Sequence, residues 1–206
     1  MRLLVASGNA KKLAELTAQL APLGVELATP ADVGGLGEVD EDQPTFEGNA
    51  LKKARAGAEQ TGLPCLADDS GLEVDALDGA PGVFSARFAG EHGNDAANNA
   101  LLLERLAGLP REERGAQFVC ALALVDPDGN PRVQVRGTVR GVILEAFRGA
   151  GGFGYDPLFE FSEPGHDATG STFAELTAEQ KARHSHRGRA IAALAEQLGK
   201  RLGNDA

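Results

Sequence analysis

A polar turn near the N-terminus is the first stretch whose residue types could bind an anion. It consists of Ser7, Gly8, Asn9, Ala10, Lys11 and Lys12. The turn follows a short apolar run and opens a helical pattern, so backbone amides and the positive end of the helix dipole would face a phosphate. The two lysines add full charges, although the spacing is not that of a Walker A loop. The alternative is a helix capped by Asn9 beside two solvated lysines.

Two adjacent aspartates form the second candidate. Asp68-Asp69-Ser70-Gly71 follows the apolar run 64–67, which predicts that the aspartates lie at the carboxyl end of a strand. Ligands of α/β sheets collect at such ends. A carboxylate pair can bind Mg²⁺ and hold a water for attack on phosphorus. The alternative is an Asx turn closed by Gly71.

An acid-rich segment supplies further candidate metal ligands. These acids either complete a metal site or belong to a solvated loop and the N-terminal turn of the following helix. They are Glu38, Asp40, Glu41, Asp42 and Glu47.

The fourth candidate combines a glycine-rich loop with basic residues later in the chain. A ring flanked by glycine can stack on a flat base, and donors from a helix can bind its acceptor atoms. The alternative is that Phe153 and Tyr155 are ordinary core aromatics. His184 and His186 are two positions apart and do not share a helix face, so we do not expect a two-histidine metal site. The candidates are Phe153, Gly154, Tyr155, Asp156, Lys181, His186 and Arg187.

Hydrophobic periodicity and turn residues predict the elements that position these candidates. Strands alternate with helices in the first half, and a hairpin follows, which predicts an α/β fold with a mixed sheet. Asn94 is predicted to cap the third helix. A capping box of Thr177 and Gln180 starts the C-terminal helical region, with His184–Gly188 early in a helix or at a break in it. An apolar stripe follows in this region, formed by Ile191, Leu194, Leu198 and Leu202. The predicted strands are 2–6, 25–29, 64–67, 117–125 and 132–142; the predicted helices are 9–20, 44–61 and 94–106; and the predicted turns or loops are 30–43, 126–131 and 149–157.

Composition limits the classes of function. The chain has 206 residues, of which 42% are apolar and 24% charged, typical of a globular protein. Its net charge of −10 disfavours broad nucleic-acid binding, and an anionic substrate would require locally gathered bases or a divalent cation. The longest apolar run, Phe118–Val125, is too short to span a membrane, and no signal peptide is recognised, so we expect a cytoplasmic protein. Cys65 and Cys120 fit buried free thiols.

Seven ordered blocks resemble the inosine triphosphate pyrophosphatase family over essentially the whole chain. No single block is specific, but their order and spacing together are. The blocks are SGNAKK at 7–12, NALKKA at 49–54, LADDSGLEVDAL at 66–77, APGVFSARFAG at 80–90, GGFGYDPLF at 151–159, FAELTAEQK at 173–181 and SHRG at 185–188.

The resemblance implies an activity and an assembly. Members of this family hydrolyse ITP, dITP and XTP to the monophosphate and pyrophosphate with Mg²⁺, which keeps deaminated purines out of DNA and RNA. The implied fold is a single α/β domain over residues 1–206, with a central mixed β-sheet, flanking helices and two lobes around a substrate cleft. The implied assembly is a homodimer.

The same resemblance implies roles for individual residues. Residues 7–12 would hold the triphosphate, and Asp69 would be the proton acceptor and a metal ligand. Ser70 would contact the substrate, and a second metal ligand would be Asp40 or Glu41. The base would be held by Phe153, Gly154, Tyr155, Asp156, Lys181, His186 and Arg187.

One position departs from the family pattern. Many relatives have a glutamate immediately before the Asn-Ala pair of the second helix, whereas this chain has Gly48 there and Glu47 one position earlier. A shift of one residue rotates a helical side chain by about 100°. We therefore do not expect Glu47 to replace the missing carboxylate.

Three other functions remain compatible with the residues alone. They are a pyrophosphatase for a different damaged base, a nucleotide-binding regulator without catalysis, and a general metal phosphatase that releases orthophosphate. A triphosphate panel with identification of the product separates them.

Overall fold

One mixed sheet runs through the protein. The computed structural model describes residues 2–21, 24 and 26–202, with only the backbone described for residues 199–202. The strands are β1 (Arg2–Ala6), β2 (Glu26–Ala28), β3 (Cys65–Val74), β4 (Gly115–Val125), β5 (Pro131–Ile143) and β6 (Phe159–Phe161). Their order is β2-β1-β3-β4-β5-β6, with β1 parallel to β2 and β3, and β5 antiparallel to β6. The predicted α/β class with a mixed sheet is confirmed.

Five helices accompany the sheet. They are α1 (Ala10–Leu20), α2 (Phe46–Thr61), α3 (Asp95–Arg105), α4 (Ala178–His184) and α5 (His186–Leu202). The predicted caps are confirmed, because Asn94 accepts from the Ala97 amide and Thr177 forms a capping box with Gln180. The predicted break near residue 185 is also confirmed, since Ser185 separates α4 from α5.

The chain divides into two compact units, each with its own core. The first unit contains the described parts of residues 1–69, 120–137 and 187–206, and the second contains 70–119 and 138–186. The apolar stripe predicted for the C-terminal helix packs in the first core, except Leu202, whose side chain lies outside the described residues. Core residues of the first unit include Leu3, Val5, Leu16, Leu66, Leu122, Ile191 and Leu194; those of the second include Leu72, Leu102, Phe118, Tyr155, Phe159 and Phe173.

The prediction for β3 was wrong in part, and β6 was not predicted. β3 does not end before Asp68 but continues to Val74, so the aspartates lie within the strand and not in an Asx turn. A strand can continue here because folding supplies cations for the buried carboxylates, as described below. No strand was predicted at β6, because three residues give no periodic signal. Of the strand predicted at 25–29, residues 26–28 are confirmed, while Val25 lies outside the described residues.

The turn predicted at 126–131 is confirmed, because it joins β4 to β5. The Gly129 amide donates to the Asp126 carbonyl at 2.9 Å.

Within residues 2–202 as described, no helix is long and apolar enough to cross a membrane.

Candidate active site

Asp68 is buried in β3 among positive charges of the first unit. Its Oδ1 lies 3.6 Å from Lys12 Nζ, and its Oδ2 accepts from Arg187 Nη2 at 3.2 Å. Burial alone would raise the pKa of Asp68, but Lys12, Arg187 and Lys53 together hold it well below its usual range. Asp68 is therefore an ionised counterion at neutral pH.

Asp69 has a different environment. Lys53 Nζ donates to its Oδ1 at 2.8 Å, and Asn49 Nδ2 donates to its Oδ2 at 3.2 Å. Burial raises the pKa of Asp69, and the lysine only partly offsets this. A carboxylate whose pKa is raised accepts a proton more readily than its neighbour, which is what a general base requires.

Helix α2 positions both partners of Asp69. Thr45 caps this helix by accepting from the Gly48 amide, and Asn49 and Lys53, four residues apart, share one helix face. Asn49 is buried, and its Oδ1 accepts from the Gln43 amide at 3.0 Å, which fixes the loop that leads into α2. Sequence reasoning missed Asn49 and Lys53 as site residues, although their spacing within NALKKA was the available signal.

Glu41 is the acid of the preceding loop that reaches this cluster. Lys53 Nζ donates to Glu41 Oε1 at 2.8 Å while it also contacts Asp69. Burial disfavours the ammonium charge, but Asp69, Asp68 and Glu41 outweigh that effect and raise the pKa of Lys53. Asp40 is exposed.

Glu47 points elsewhere, as its position on the helix predicted. Arg136 Nη1 donates to Glu47 Oε1 at 2.9 Å. Gly48 has no room for a larger side chain without rearrangement, because an added Cβ would lie 2.8 Å from the Gln43 Cβ. Glu47 therefore does not take the place of a carboxylate at position 48, as the sequence predicted.

The N-terminal turn is the capped start of α1, and its Lys12 forms an ion pair with Asp68. Asn9 Oδ1 accepts from the amides of Lys11 and Lys12 at 3.0 and 3.1 Å, which confirms the capping alternative. Ser7 is half-buried, and Gly8, Asn9, Ala10 and Lys11 are exposed. Capping does not exclude an anion-binding role, since these exposed groups surround the helix start.

Arg187 belongs to the same group of charges in the first unit. It is 1% exposed and donates to Asp68 and to Glu15. Burial opposes its charge, but Asp68 and Glu15 raise the pKa of the guanidinium further. The structure thus brings Lys12, Glu41, Lys53, Asp68, Asp69 and Arg187 together.

In the second unit, the glycine-rich loop is organised around Asp156. Its Oδ2 accepts from the Phe153 amide at 2.9 Å and from Lys181 Nζ at 2.8 Å. The same ammonium lies 4.8 Å from the centroid of the Phe153 ring. Gly152, with φ of 74°, allows this turn, because an added Cβ would lie 2.2 Å from Asp156 Oδ2. Phe153, Asp156 and Lys181 therefore form one local unit.

Three further predicted residues have distinct settings in the second unit. Tyr155 is buried and its hydroxyl donates to the Ser85 carbonyl at 2.9 Å, which confirms the core alternative for this ring. His186 is buried and stacks on Phe118 with 4.8 Å between ring centroids. Ser70 follows Asp69 in β3 and is half-buried.

Comparison with known proteins shows which family the chain belongs to. Residues 3–197 match the model of the Ham1 family. The chain belongs to the Ham1 family. It is 54% identical over 198 residues to a dITP/XTP pyrophosphatase of Geobacter sulfurreducens, with 96% of each chain covered. It is 53% identical to a dITP/XTP pyrophosphatase of Corynebacterium efficiens, with 98% of this chain and 100% of the relative covered.

Solved structures show the same fold. A HAM1 protein of Coxiella burnetii superposes with a TM-score of 0.85 at 39% identity, covering 97% of this chain and 99% of the other. A nucleoside-triphosphatase (dITP/XTP pyrophosphatase) of Mycobacterium abscessus superposes with a TM-score of 0.74 at 54% identity, covering 94% and 98%. The resemblance found in the sequence is confirmed.

The donor set of this Ham1 chain fits a hard divalent cation bound together with a substrate. Asp69 and Glu41 each lie 2.8 Å from Lys53 Nζ, so these two carboxylates are close enough to share one cation. Among the described residues, no group of three or more His, Cys, Asp or Glu side chains forms a complete metal cage. Mg²⁺ commonly takes one or two protein carboxylates and fills its other positions with water and phosphate oxygens.

Proposed function

We propose that this chain is a nucleoside triphosphate pyrophosphatase that hydrolyses dITP, ITP and XTP to the monophosphate and pyrophosphate. The observation that carries the proposal is the pair of adjacent buried aspartates in β3. Cations hold Asp68 ionised, while burial raises the pKa of Asp69. Full-length relatives with more than half of their residues identical are named as dITP/XTP pyrophosphatases, which supports this substrate class.

The triphosphate is bound by the basic residues gathered around β3 and the start of α1. A protein with a net charge of −10 cannot attract a polyanion by its overall field, so these local charges must do so. Lys12 and Lys53 supply them within the described cluster. The remaining phosphate ligands are proposed from the N-terminal turn: Ser7, Gly8, Asn9, Ala10 and Lys11.

Asp69 accepts the proton of the attacking water. The water oxygen bonds to one phosphorus of the α–β anhydride, and the bond from that phosphorus to the bridging oxygen breaks. The other phosphate group leaves with the bridging oxygen and the electron pair of that bond, which gives the monophosphate and pyrophosphate. Asn49 and Lys53 hold the carboxylate in place for this step. Most of the rate enhancement comes from positioning and charge neutralisation, as in other phosphoryl transfers.

Asp69 and Glu41 would hold Mg²⁺. Of the two acids predicted as the second ligand, Glu41 is favoured because it shares Lys53 with Asp69, whereas Asp40 is exposed. When bound, the ion supplies positive charge to the phosphate oxygens and lowers the pKa of the attacking water.

The base is recognised by the loop and basic residues of the C-terminal third. Phe153 supplies a stacking ring, with Ser70, Gly154 and Asp156 completing the contacts, while Tyr155 supports the loop through its bond to the Ser85 carbonyl. Lys181 and His186 donate to O6, an acceptor in hypoxanthine and xanthine, whereas Arg187 keeps its bonds to Asp68 and Glu15. Adenine carries an amino donor there instead, and a buried donor mismatch can be worth about 10⁴- to 10⁵-fold in specificity.

Identification of the product tests the reaction. Purified protein is incubated with ITP, with Mg²⁺ or with excess EDTA, and pyrophosphate and orthophosphate are quantified separately. The proposal predicts one pyrophosphate per ITP consumed and no turnover with EDTA. Release of orthophosphate would indicate a general phosphatase, and the absence of turnover with Mg²⁺ would indicate a binding protein.

The biological setting is proposed from the resemblance. We expect a cytoplasmic homodimer that keeps deaminated purines out of DNA and RNA without binding nucleic acid itself. Sedimentation equilibrium of the full chain would show a mass of two protomers; a monomer at micromolar concentration would contradict the dimer.

A further inference from the structure

The N-terminal end of α3 holds both peptide groups of Gly154. The Gly154 amide donates to Asp95 Oδ2 at 2.8 Å, and its carbonyl accepts from Asn99 Nδ2 at 2.9 Å. Gly154 has φ of 59°, a left-handed conformation that favours glycine. Both peptide planes of this turn are therefore fixed by side chains of one helix.

Both hydrogen bonds of the Asn99 side chain use its Nδ2 as the donor. Asn99 is 4% exposed, and its Nδ2 donates to the Asp95 carbonyl at 2.8 Å as well as to Gly154. No described group donates to the buried Asn99 Oδ1. Aspartate and leucine have similar size but no amide donors, so neither could make these two bonds.

Gly154 adjoins the ring proposed to stack on the base. Phe153 precedes it, and the Phe153 amide donates to Asp156, which in turn accepts from Lys181. Lys181 also lies over the Phe153 ring. A shift of the Gly154 peptide would therefore displace the stacking ring and disturb the setting of the lysine.

We propose that Asp95 and Asn99 are positioning residues that set the base selectivity of the enzyme. The inference rests on the proposed function, in which residues 153–156 and Lys181 contact the base. Asp95 and Asn99 need not touch the substrate. They act by fixing the turn that holds Phe153 and, through Asp156, the ammonium of Lys181, which is proposed to donate to O6.

Asn98 provides a matched control on the same helix. It is 2% exposed, its Oδ1 accepts from the Ala89 amide at 2.8 Å, and its Nδ2 donates to the Ala86 carbonyl at 3.3 Å. Asn98→Ala and Asn99→Ala thus each remove two buried hydrogen bonds to backbone, but only the second releases Gly154. The readouts are melting temperature and the ratio of kcat/KM for ITP to that for ATP.

We expect both variants to lose similar stability and only Asn99→Ala to lose selectivity. The ITP to ATP ratio should fall by at least about tenfold in Asn99→Ala, because small displacements of a substrate-positioning group reduce rates strongly. The ratio should stay within about threefold of wild type in Asn98→Ala. Equal ratios in Asn99→Ala and wild type, or equal losses in both variants, would overturn the proposal.

Asp95 supplies a second test that does not depend on a buried substitution. Its side chain is exposed, so Asp95→Ala should fold. Asp95→Ala should weaken binding of the product IMP, measured calorimetrically, and Asp95→Asn should restore it because an amide oxygen can accept the same amide proton. Unchanged IMP affinity in Asp95→Ala would contradict the proposal.

The ITP to ATP ratio of the wild-type enzyme distinguishes failure of the proposed function from failure of the proposed role of α3. If wild type does not prefer ITP to ATP, the proposed function fails. If wild type prefers ITP and Asn99→Ala retains that preference, only the inference about α3 fails.

Discussion

At the scale of single residues, two neighbouring aspartates differ in what surrounds them. Asp68 contacts Lys12 and Arg187, whereas Asp69 is held by Lys53 and Asn49. Their opposite pKa shifts support the proposed roles, charge balance for Asp68 and proton transfer for Asp69. Substitution of each should therefore give a different phenotype.

Asp69→Asn should lose catalysis and keep the fold. An amide of the same size can still occupy the site but cannot accept the proton, so kcat for ITP should fall about 10²- to 10⁴-fold. The measurement is steady-state pyrophosphate release, with the free energy of unfolding as the control. Near-normal turnover would remove Asp69 from the mechanism.

Asp68→Asn should primarily lose stability. The substitution removes the carboxylate that Arg187 and Lys12 share, and breaking a buried pair in this way costs about 3–5 kcal/mol. Urea unfolding of both aspartate variants would measure the difference. If Asp68→Asn were as stable as wild type, the buried ion pairs of Asp68 would contribute little to the free energy of unfolding.

The stability difference between wild type and Asp68→Asn should depend on pH. The pKa of Asp68 is lower in the folded protein than its ordinary value of 3.8, so its contribution is present above that value. It should decrease as the pH falls below 3.8 towards the lower folded pKa. A difference that grew on acidification would contradict the assigned direction of the shift.

At the scale of elements, local patterns identified most of the helices and strands but not the length of β3. The caps at Asn94 and Thr177 are local and were predicted from neighbouring residues. The partners that allow β3 to continue through two aspartates come from distant parts of the chain, at Lys12, Lys53 and Arg187. No local sequence window contains them.

The capping box of α4 should contribute measurably to the stability of the protein. Thr177→Ala removes the hydroxyl that accepts from the Gln180 amide, at a cost of about 1 kcal/mol. For a chain of this size the melting temperature should fall by about 2–4 °C. Thr177→Ser keeps the acceptor and should melt close to wild type; an equal decrease in both variants would argue against the cap.

At the scale of the whole molecule, each unit has its own core and its own group of predicted site residues. The sequence predicted most of the candidate residues through the family blocks, but it did not predict that Asn49 and Lys53 contact Asp69 or that Asn99 contacts Gly154. These contacts depend on how α2 and α3 pack, which a pattern of residue types does not encode. The predicted single domain around a cleft stays a prediction.

The two cysteines test the burial of the first core. Burial raises the pKa of Cys65 and of Cys120 to about 12, so almost no thiolate exists at pH 8. We expect a thiol reagent to label neither cysteine in the native protein within minutes and both in urea. Rapid native labelling would show that this core opens readily.

The ratio of kcat/KM for ITP to that for ATP, measured with Mg²⁺ and quantified as pyrophosphate, tests the central claim most directly. XTP and GTP complete the panel. The account predicts that ITP and XTP are hydrolysed far more efficiently than ATP, because the proposed donors match O6 but not the amino group of adenine. It also predicts that they are hydrolysed more efficiently than GTP, which shares O6 and must be rejected through its 2-amino group. Equal efficiency for ITP and ATP would contradict it.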